Sequence, residues 1–596
     1  MASPVASTSA TKLPSWPPSL TSSQLSSLTA QATDYALSHG LVYRPIGNPP
    51  PSTHVHHAPI SLLPSPFPRS AFQQALQIQG VLNELYARVA VDDVFLERVI
   101  GKMVAPVDDF TRGLWEVYSK AKQQGVAPTY HLGLFRSDYL LHDSPSAPPT
   151  IRQVEFNTIS SSFGPLCQKV SELHRSLLMQ TDYYSSALDQ LQLDNLPKNT
   201  ALTLLSDGLA QAHKAYLAES GWSGKKEDTP RVLFVVQEKE RNAFDQRWLE
   251  FELLEKHGIR STRRTFSSLI TSASRDSSSG ALLLSSETST TPVEVSVVYY
   301  RSGYTPTDYT TPDHWDLRFR LESTTAIKCP TVALQLAGAK KVQQVLAEEG
   351  VLEHFLSQRY PAEALHSLRQ TWAELYPLDS SPLGEQGQKL AREEPERFVM
   401  KPQREGGGNN IYREEIPRAL AAMEERDAKR PQGTPKEREG YILMELILPP
   451  QGLGNYLIRP PAVGAGAAAA ADSSSTGQAQ EQPTRHAEGL QAAECRLSPD
   501  VVSELGIYGV ALFRSSNSNS ASSNSASGTA GALDEKTYWS LPTSEVAATS
   551  SSSSSSTTTT ATRGVEAAYL LRTKGRESDE GGVAVGFSVL DSLVLV

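Results

Sequence analysis

The residues best suited to chemistry form one run, Lys401-Pro402-Gln403-Arg404-Glu405-Gly406-Gly407-Gly408-Asn409-Asn410-Ile411-Tyr412, behind an apolar strand-like stretch. Three consecutive glycines let backbone N–H groups close on an anion that side chains would otherwise obstruct. Lys401 and Arg404 add positive charge, and Glu405 offers a carboxylate for a divalent cation that bridges phosphates. The lysine precedes the glycines, so this is not the GxxxxGK[ST] phosphate loop. The competing reading is an ordinary glycine-rich surface turn. Two cations, one carboxylate and two asparagines packed around three glycines argue against it.

A second cluster is Arg152-Gln153-Val154-Glu155-Phe156-Asn157-Thr158. Strand alternation puts Val154 and Phe156 on one face and Glu155 and Asn157 on the other. Two oxygen donors with no thiolate or imidazole nearby suit Mg²⁺ rather than zinc. Alone, such a strand reads as a solvated sheet face; it gains weight from the glycine-rich run and from the Ile159-Ser160-Ser161-Ser162-Phe163-Gly164 that follows. Arg136, Arg301 and Arg572 each lie in or just after an apolar run. Their guanidinium forks match carboxylates bidentately, as a substrate with several carboxylates requires, although each alone reads as a structural ion pair. His54-Val55-His56-His57 lies among prolines in a predicted loop, without carboxylate partners, and reads as incidental. There is no GxSxG elbow, and Gly464-Ala465-Gly466 belongs to a low-complexity tract rather than a dinucleotide fingerprint.

These residues need elements to position them. Helical periodicity runs over residues 24–39, 71–89 and 108–125. Residues 231–236 (RVLFVV) and 295–300 (VSVVYY) read as buried strands, with an amphipathic helix at 244–257 between them, ended by Gly258. That order predicts a βαβ-type unit, whose ligands sit beyond the carboxyl ends of the strands. Two polar clusters fall there, Glu240-Arg241-Asn242 and Arg301-Ser302-Gly303-Tyr304. Further strands are predicted at 398–400, 441–447, 506–513, 568–573 and 583–590, giving an α/β or α+β fold.

Composition narrows the function. Of 596 residues, 39% are hydrophobic and 20% charged, with 65 acidic against 55 basic side chains and a formal net charge of −10. That balance excludes a general nucleic-acid binder, which carries a basic excess. The three cysteines, Cys167, Cys329 and Cys495, are far apart, which fits a reducing compartment rather than a disulfide scaffold. No apolar run reaches the ~18 residues of a membrane span. The start of the chain has no apolar core of a signal peptide and a single basic residue, Lys12, in its first 20, so a cytoplasmic protein is expected. Residues 464–482, 515–532 and 547–562 are Ser-, Thr-, Ala- and Gly-rich and predict surface inserts without fixed structure; residues 267–291 do so more weakly.

Five segments together closely resemble eukaryotic glutathione synthetases: RQVEFNTISSSFG, QEKERNAFDQR, VVYYRSGY, KCPTVALQLAGAKKVQQVL and KPQREGGGNNIY. YILMELI, SELGIYGV, LLRTK and GGVAVGFSVLD agree, so the resemblance extends from about residue 24 to residue 596. The glycine-rich run resembles the phosphate-covering loop of ATP-grasp ligases. The resemblance implies an α/β ATP-grasp fold with a permuted substrate-binding lobe built on a parallel sheet, and a homodimer. It implies ATP-dependent ligation of glycine to γ-glutamylcysteine, with no nucleic-acid or membrane partner. By resemblance, Glu155, Asn157 and Glu405 hold Mg²⁺. The implied ATP contacts are Lys340, Lys401, Glu405, Gly406, Gly407, Gly408, Asn409, Asn410, Tyr412, Met444, Glu445, Leu446, Ile447, Glu504, Lys574 and Glu580. The implied dipeptide and glycine contacts are Arg136, Ser160, Ser161, Ser162, Glu240, Asn242, Gln246, Arg301, Ser302, Gly303, Tyr304, Arg572, Val583 and Ala584. Among these, Arg136, Lys401 and Arg572 are the implied catalytic residues.

Leu446 stands where the family commonly has a lysine, and Glu580 where it often has Asp. The expected division is a disordered start (1–23), an N-terminal part of the ATP-grasp body with the metal-binding strand (24–230), a substrate-binding domain (231–338) and an ATP-grasp domain with a glycine-rich lid (339–596). Two alternatives stay open from sequence: a ligase using another acceptor such as β-alanine, and a silent paralogue that only binds ATP or glutathione. Retention of Glu155, Asn157, Glu405, Lys340, Lys401 and Lys574 disfavours the second.

Overall fold

A computed structural model describes residues 13–45, 53–126, 130–144, 147–185, 189–225, 228–285, 291–405, 408–460, 494–516, 532–541, 565–578, 583 and 588–596. Helices α1 (Ser22–Ser38) and α2 (Arg69–Val91) precede the long strands β1 (His131–Ser144) and β2 (Ala147–Asn157). Helix α3 (Gly164–Thr181) leads on towards β3 (Arg231–Val236), α4 (Ala243–His257), β4 (Ser261–Thr265), β5 (Val293–Tyr300) and β6 (Ile327–Cys329). Helix α5 (Lys340–Ala347) is followed by β7 (Phe398–Pro402), β8 (Tyr441–Glu445), β9 (Val501–Phe513), β10 (Tyr569–Gly575) and β11 (Val589–Asp591).

One 15-stranded sheet organises the chain. Its centre is antiparallel, with β2, β1, β9, β10 and β11 side by side. Its wing is parallel, with β6, β5, β3 and β4 continuing from the edge of β1. A separate four-stranded antiparallel sheet contains β7 and β8. Side chains alternate across the large sheet as strand geometry requires. Leu505, Ile507 and Ala511 face one core, with Phe72, Leu82 and Tyr86 of α2. Tyr508, Val510 and Leu512 face the other, with Leu166, Val170 and Leu173 of α3. A smaller core, including Phe398, Met400, Leu420 and Leu443, fills the four-stranded lobe.

The predicted helices and buried strands are present, and several boundaries differ; of the strand predicted at 583–590, residues 584–587 lie outside the described residues and the strand found is Val589–Asp591. Helix α4 ends at Gly258, whose φ of +69° suits a residue without Cβ. It does not lead directly to β5, however. The chain returns first as β4, parallel to β3, and β5 pairs with the other side of β3. Strand β4 (STRRT) has no apolar pattern because it lies at the sheet edge, where Arg263 binds Glu250 Oε1 at 2.6 Å.

Of the weakly predicted insert 267–291, residues 286–290 lie outside the described residues, and residues 267–285 are not structureless. Phe266–Ser272 is helical, and Ala273–Arg275 pairs with Leu282–Leu284. The intervening serines are held by Asp276, which accepts hydrogen bonds from Ser278 and Ser279. Nor is all of residues 1–23 structureless: Trp16 is buried, and its carbonyl accepts from Gly454 N at 3.0 Å. His56 and His57 form a two-residue strand against Val42–Tyr43 rather than a loop. The inserts at 464–482 and 547–562, and all but residues 515, 516 and 532 of the third, lie outside the described residues.

Buried histidines make the fold acid-sensitive. His174 Nδ1 lies 2.7 Å from Ser592 Oγ and Nε2 lies 3.0 Å from Ser61 O, pinning α3 to the C-terminal segment. Burial lowers its pKa to about 4, and burial likewise lowers His131 to about 3 and His213 to about 4. The folded state therefore binds fewer protons than the unfolded state below pH ~6.5, and stability falls as pH drops from there towards 4. For each histidine the slope approaches about 1.4 kcal/mol per pH unit midway between the two pKa values. Urea unfolding at pH 6 and pH 5 should show a loss about 1.2 kcal/mol smaller in His174→Gln than in the parent. An unchanged loss would mean His174 does not titrate on unfolding.

Candidate active site

The antiparallel centre of the large sheet builds the floor of the site. Register puts Arg136 of β1 opposite Asn157 of β2 and Asp138 opposite Glu155. On the other side of β1, Tyr508 and Gly506 of β9 stand opposite Arg136 and Asp138, and Glu504 faces Arg572 of β10. Phe156 turns away and stacks on Tyr86, with ring centroids 3.8 Å apart, which leaves Glu155 and Asn157 on the open face. A side chain at Gly506 would collide with the floor: its Cβ would lie 2.8 Å from Arg136 Cδ and 2.9 Å from Asp138 Oδ1.

Above this floor lies a cavity of about 350 Å³. The end of β2 and the following loop contribute Glu155, Asn157, Ser160 and Ser162. Helix α5 contributes Lys340. Lys401, Arg404, Glu405, Asn409, Asn410 and Tyr412 come from β7 and the glycine-rich run. The parallel wing contributes Gln237, Glu240, Asn242 and Tyr304, and the C-terminal strands and their flanks contribute Glu504, Arg572, Lys574, Val583 and Ser588. Six cationic side chains against four carboxylates line one space, which suits a polyanionic occupant.

The charges in this space hold one another. Lys340 Nζ lies 3.4 Å from Glu155 and 3.5 Å from Glu405, and Lys401 Nζ donates to Val154 O at 3.1 Å. Burial opposes ionisation of Glu155, but Lys340 and then Lys401 hold its pKa down at about 2. Burial lifts Glu405 to about 7 despite Lys340, and Glu155 adds to that rise. Burial lowers Lys401 to about 8. Arg136 holds Asp138 with both arms, at 2.6 and 2.7 Å, and Arg572 pairs with Glu504 at 2.5 Å. Burial works against the Arg136 charge, yet Asp138 more than offsets it and raises the guanidinium pKa.

Most of the predicted site residues meet in this cavity, and others back it. Gln246 is fully buried between Glu240 and Arg263, at 2.9 and 2.8 Å. Arg301 is buried and donates to Ser161 O (3.1 Å) and Ser162 Oγ (2.7 Å). Ser302 and Gly303 form the turn before Tyr304. Met444 is buried in the small sheet beside Leu446 and Ile447, and Glu445 pairs with Arg397 at 3.0 Å; none of these four lines the cavity. Gly408 is described but is not in the lining. Gly406, Gly407, Glu580 and Ala584, with Gly581 and Gly582, lie outside the described residues.

Sequence reasoning missed Asp138, which binds Arg136, accepts from Asn157 Nδ2 at 3.0 Å and lies 3.6 Å from Arg572. Its two-residue spacing from Arg136 on one strand was the available signal. It also missed Gln237, and Asp108, which holds Arg404.

The donor set fits a magnesium ion. Among the described residues no cluster of three or more His, Cys, Asp or Glu side chains forms a metal cage. Mg²⁺ does not require one, since it is usually held by one or two carboxylates together with phosphates and water. Glu155 and Glu405 supply the carboxylates, already bridged by the Lys340 ammonium. Asn157 uses its amide N–H groups on Arg136 O (3.3 Å) and Asp138, leaving its carbonyl oxygen as a donor.

Comparison with known proteins identifies the family. The chain matches the family described as eukaryotic glutathione synthase, ATP binding domain, over residues 22–470 and 549–595. It is 35% identical to the glutathione synthetase large chain of Schizosaccharomyces pombe, covering 96% of this chain and 98% of that one. It is 34% identical to the glutathione synthetase of Homo sapiens, covering 96% of each. A glutathione synthetase-like effector from Globodera pallida, 20% identical, superposes with a TM-score of 0.62 over 97% of this chain and 98% of its own, a likeness of fold. No helix among the described residues is long and apolar enough to cross a membrane. With a family match over most of its length and relatives near one third identical across nearly all of it, the chain belongs to the eukaryotic glutathione synthase family.

Proposed function

We propose that the cavity above β1 and β2 is where this chain carries out the activity of its family, the ATP-dependent joining of glycine to γ-glutamylcysteine. The observation that carries the reading is the meeting, in one space, of the glycine-rich run, the Glu155–Asn157 strand and the arginine-bearing strands β1 and β10. Lys340, Lys401, Lys574 and the run from Glu405 to Tyr412 form the nucleotide side. Arg136, Ser160, Ser162, Glu240, Asn242 and Tyr304 form the dipeptide side, and Arg572 with Val583 receives the glycine. Glu155, Asn157 and Glu405 are the residues to hold Mg²⁺, which when bound neutralises phosphate charge.

The chemistry follows from this division. The cysteinyl carboxylate oxygen attacks the γ-phosphorus, the bond to the ADP oxygen breaks, and an acyl phosphate forms. The glycine amine attacks the acyl carbon, its proton is lost, and phosphate leaves with the carboxylate oxygen. Negative charge develops in both steps, so Lys401, Arg136 and Arg572 act by electrostatic stabilisation. The glycine-rich run covers the phosphates and excludes water from the acyl phosphate.

An ATP-grasp fold with a permuted substrate-binding lobe is part of the proposal. Its support is the parallel wing β6-β5-β3-β4, which carries the dipeptide side. The division at residues 230 and 338 and a homodimer rest on the family resemblance, and a cytoplasmic setting rests on the three widely spaced cysteines. Incubation with γ-glutamylcysteine, ATP and each acceptor, read by product mass, tests the assignment. Glycine should be preferred over β-alanine by roughly 10–200-fold in kcat/KM, the worth of one methylene in a fitted pocket. Equal values would instead point to the ligase with the longer acceptor.

A further inference from the structure

We propose that Asp308, which does not line the cavity, is a positioning residue that sets the dipeptide wall by acting through Gln237 and Tyr304. The inference rests on the assignment of that wall to γ-glutamylcysteine. Asp308 closes the short turn Pro306–Asp308 after β5, and its carboxylate gathers six donors. Oδ1 accepts from Ser302 Oγ (3.0 Å) and Gln237 Nε2 (3.2 Å). Oδ2 accepts from the backbone N–H of Gly303 (2.9 Å), Tyr304 (3.2 Å) and Thr305 (3.2 Å), and from Thr305 Oγ1 (3.1 Å).

A carboxylate that only folded its own turn would need nothing beyond residues 302–305. The bond to Gln237 reaches further, because Gln237 follows β3 whereas the turn follows β5. Asp308 therefore ties together the carboxyl ends of two neighbouring parallel strands, the place where such sheets bind ligands. Gln237 Oε1 in turn accepts from Tyr304 Oη at 3.4 Å, and both residues line the cavity. With Nε2 committed to Asp308, the Gln237 amide has one orientation, and that orientation makes Tyr304 Oη a donor to it. The turn is tight: Gly303 has φ +91°, and a Cβ there would lie 3.1 Å from Phe266 and Tyr309. Asp308 thus fixes both the place of Tyr304 and the donor pattern it shows to a bound dipeptide.

Asp308→Asn separates positioning from folding. The amide keeps one oxygen, which the three backbone N–H groups require because they can only donate. Its NH₂ group then faces Gln237, whose amide must turn over and present Nε2 instead of Oε1 to Tyr304. The turn is kept and the pattern at the cavity is reversed. The expected result is a KM for γ-glutamylcysteine raised about tenfold, with the KM values for ATP and glycine within about twofold of the parent and the melting transition retained. In a Gln237→Ala background the same substitution should add little, since the two residues act as one unit. If Asp308→Asn leaves the dipeptide KM unchanged while Gln237→Ala and Tyr304→Ala raise it, the inference is overturned and the site assignment stands. If none of the three raises it, or the ATP KM rises in its place, the assignment of the wall itself fails.

Discussion

Replacing Glu405 with alanine is expected to lower turnover by ~10²–10³ at saturating ATP and Mg²⁺, the usual cost of losing one preorganised electrostatic contact to a transition state. Glu405 lines the cavity, shares Lys340 with Glu155 and opens the glycine-rich run. Its loss removes one of the two carboxylates proposed for the metal and leaves Lys340 with Glu155 alone. The effect should fall on kcat, because the contact matters most as charge moves between phosphate and acyl oxygen. Glu405→Gln, which keeps an oxygen donor without the charge, should lie between parent and alanine. Near-parental turnover of Glu405→Ala would remove this residue from the metal and phosphate site.

Asp138→Ala should destabilise the fold severely. Asp138 is almost fully buried, binds Arg136 at 2.6 and 2.7 Å, accepts from Asn157 and lies beside Arg572. Without it a buried guanidinium has no counter-charge at its forked end, a defect typically worth about 3–5 kcal/mol. Urea unfolding at neutral pH reads this directly, and a loss below about 1 kcal/mol would show that Arg136 finds another partner. Whatever folded enzyme remains should be impaired towards the dipeptide, because Asp138 aims both Arg136 and, at longer range, Arg572.

The contrast between these two carboxylates shows what the sequence made legible. Glu405 stands between two preceding cations and three following glycines, so local composition announces it. Asp138 works through partners that tertiary pairing supplies: Asn157 arrives from β2 and Arg572 from β10, 19 and 434 positions away in sequence. Strand β3 was legible because RVLFVV is buried on both faces. Strand β4 was not, because an edge strand carrying Arg263 and Arg264 has no apolar alternation to show. Residues 267–285 looked like an insert because their serines suit a turn, yet Asp276 satisfies those serines and lets two short strands pair around them. Gln246 is reached by family resemblance alone and Arg301 by its position after an apolar strand, whereas their place behind the cavity wall depends on contacts with Arg263, Ser161 and Ser162.

The proposed reaction, in which one cavity activates a dipeptide carboxylate with ATP and passes the acyl group to glycine, can be followed by the fate of oxygen. γ-Glutamylcysteine carrying ¹⁸O in both oxygens of its cysteinyl carboxylate should be turned over with unlabelled ATP and glycine, and the released phosphate analysed by mass. Attack of that carboxylate on the γ-phosphorus, followed by cleavage of the acyl C–O bond, places one ¹⁸O atom in each phosphate released. Phosphate free of ¹⁸O, formed together with the tripeptide, would contradict the acyl phosphate and its stabilisation by Arg136, Lys401 and Arg572.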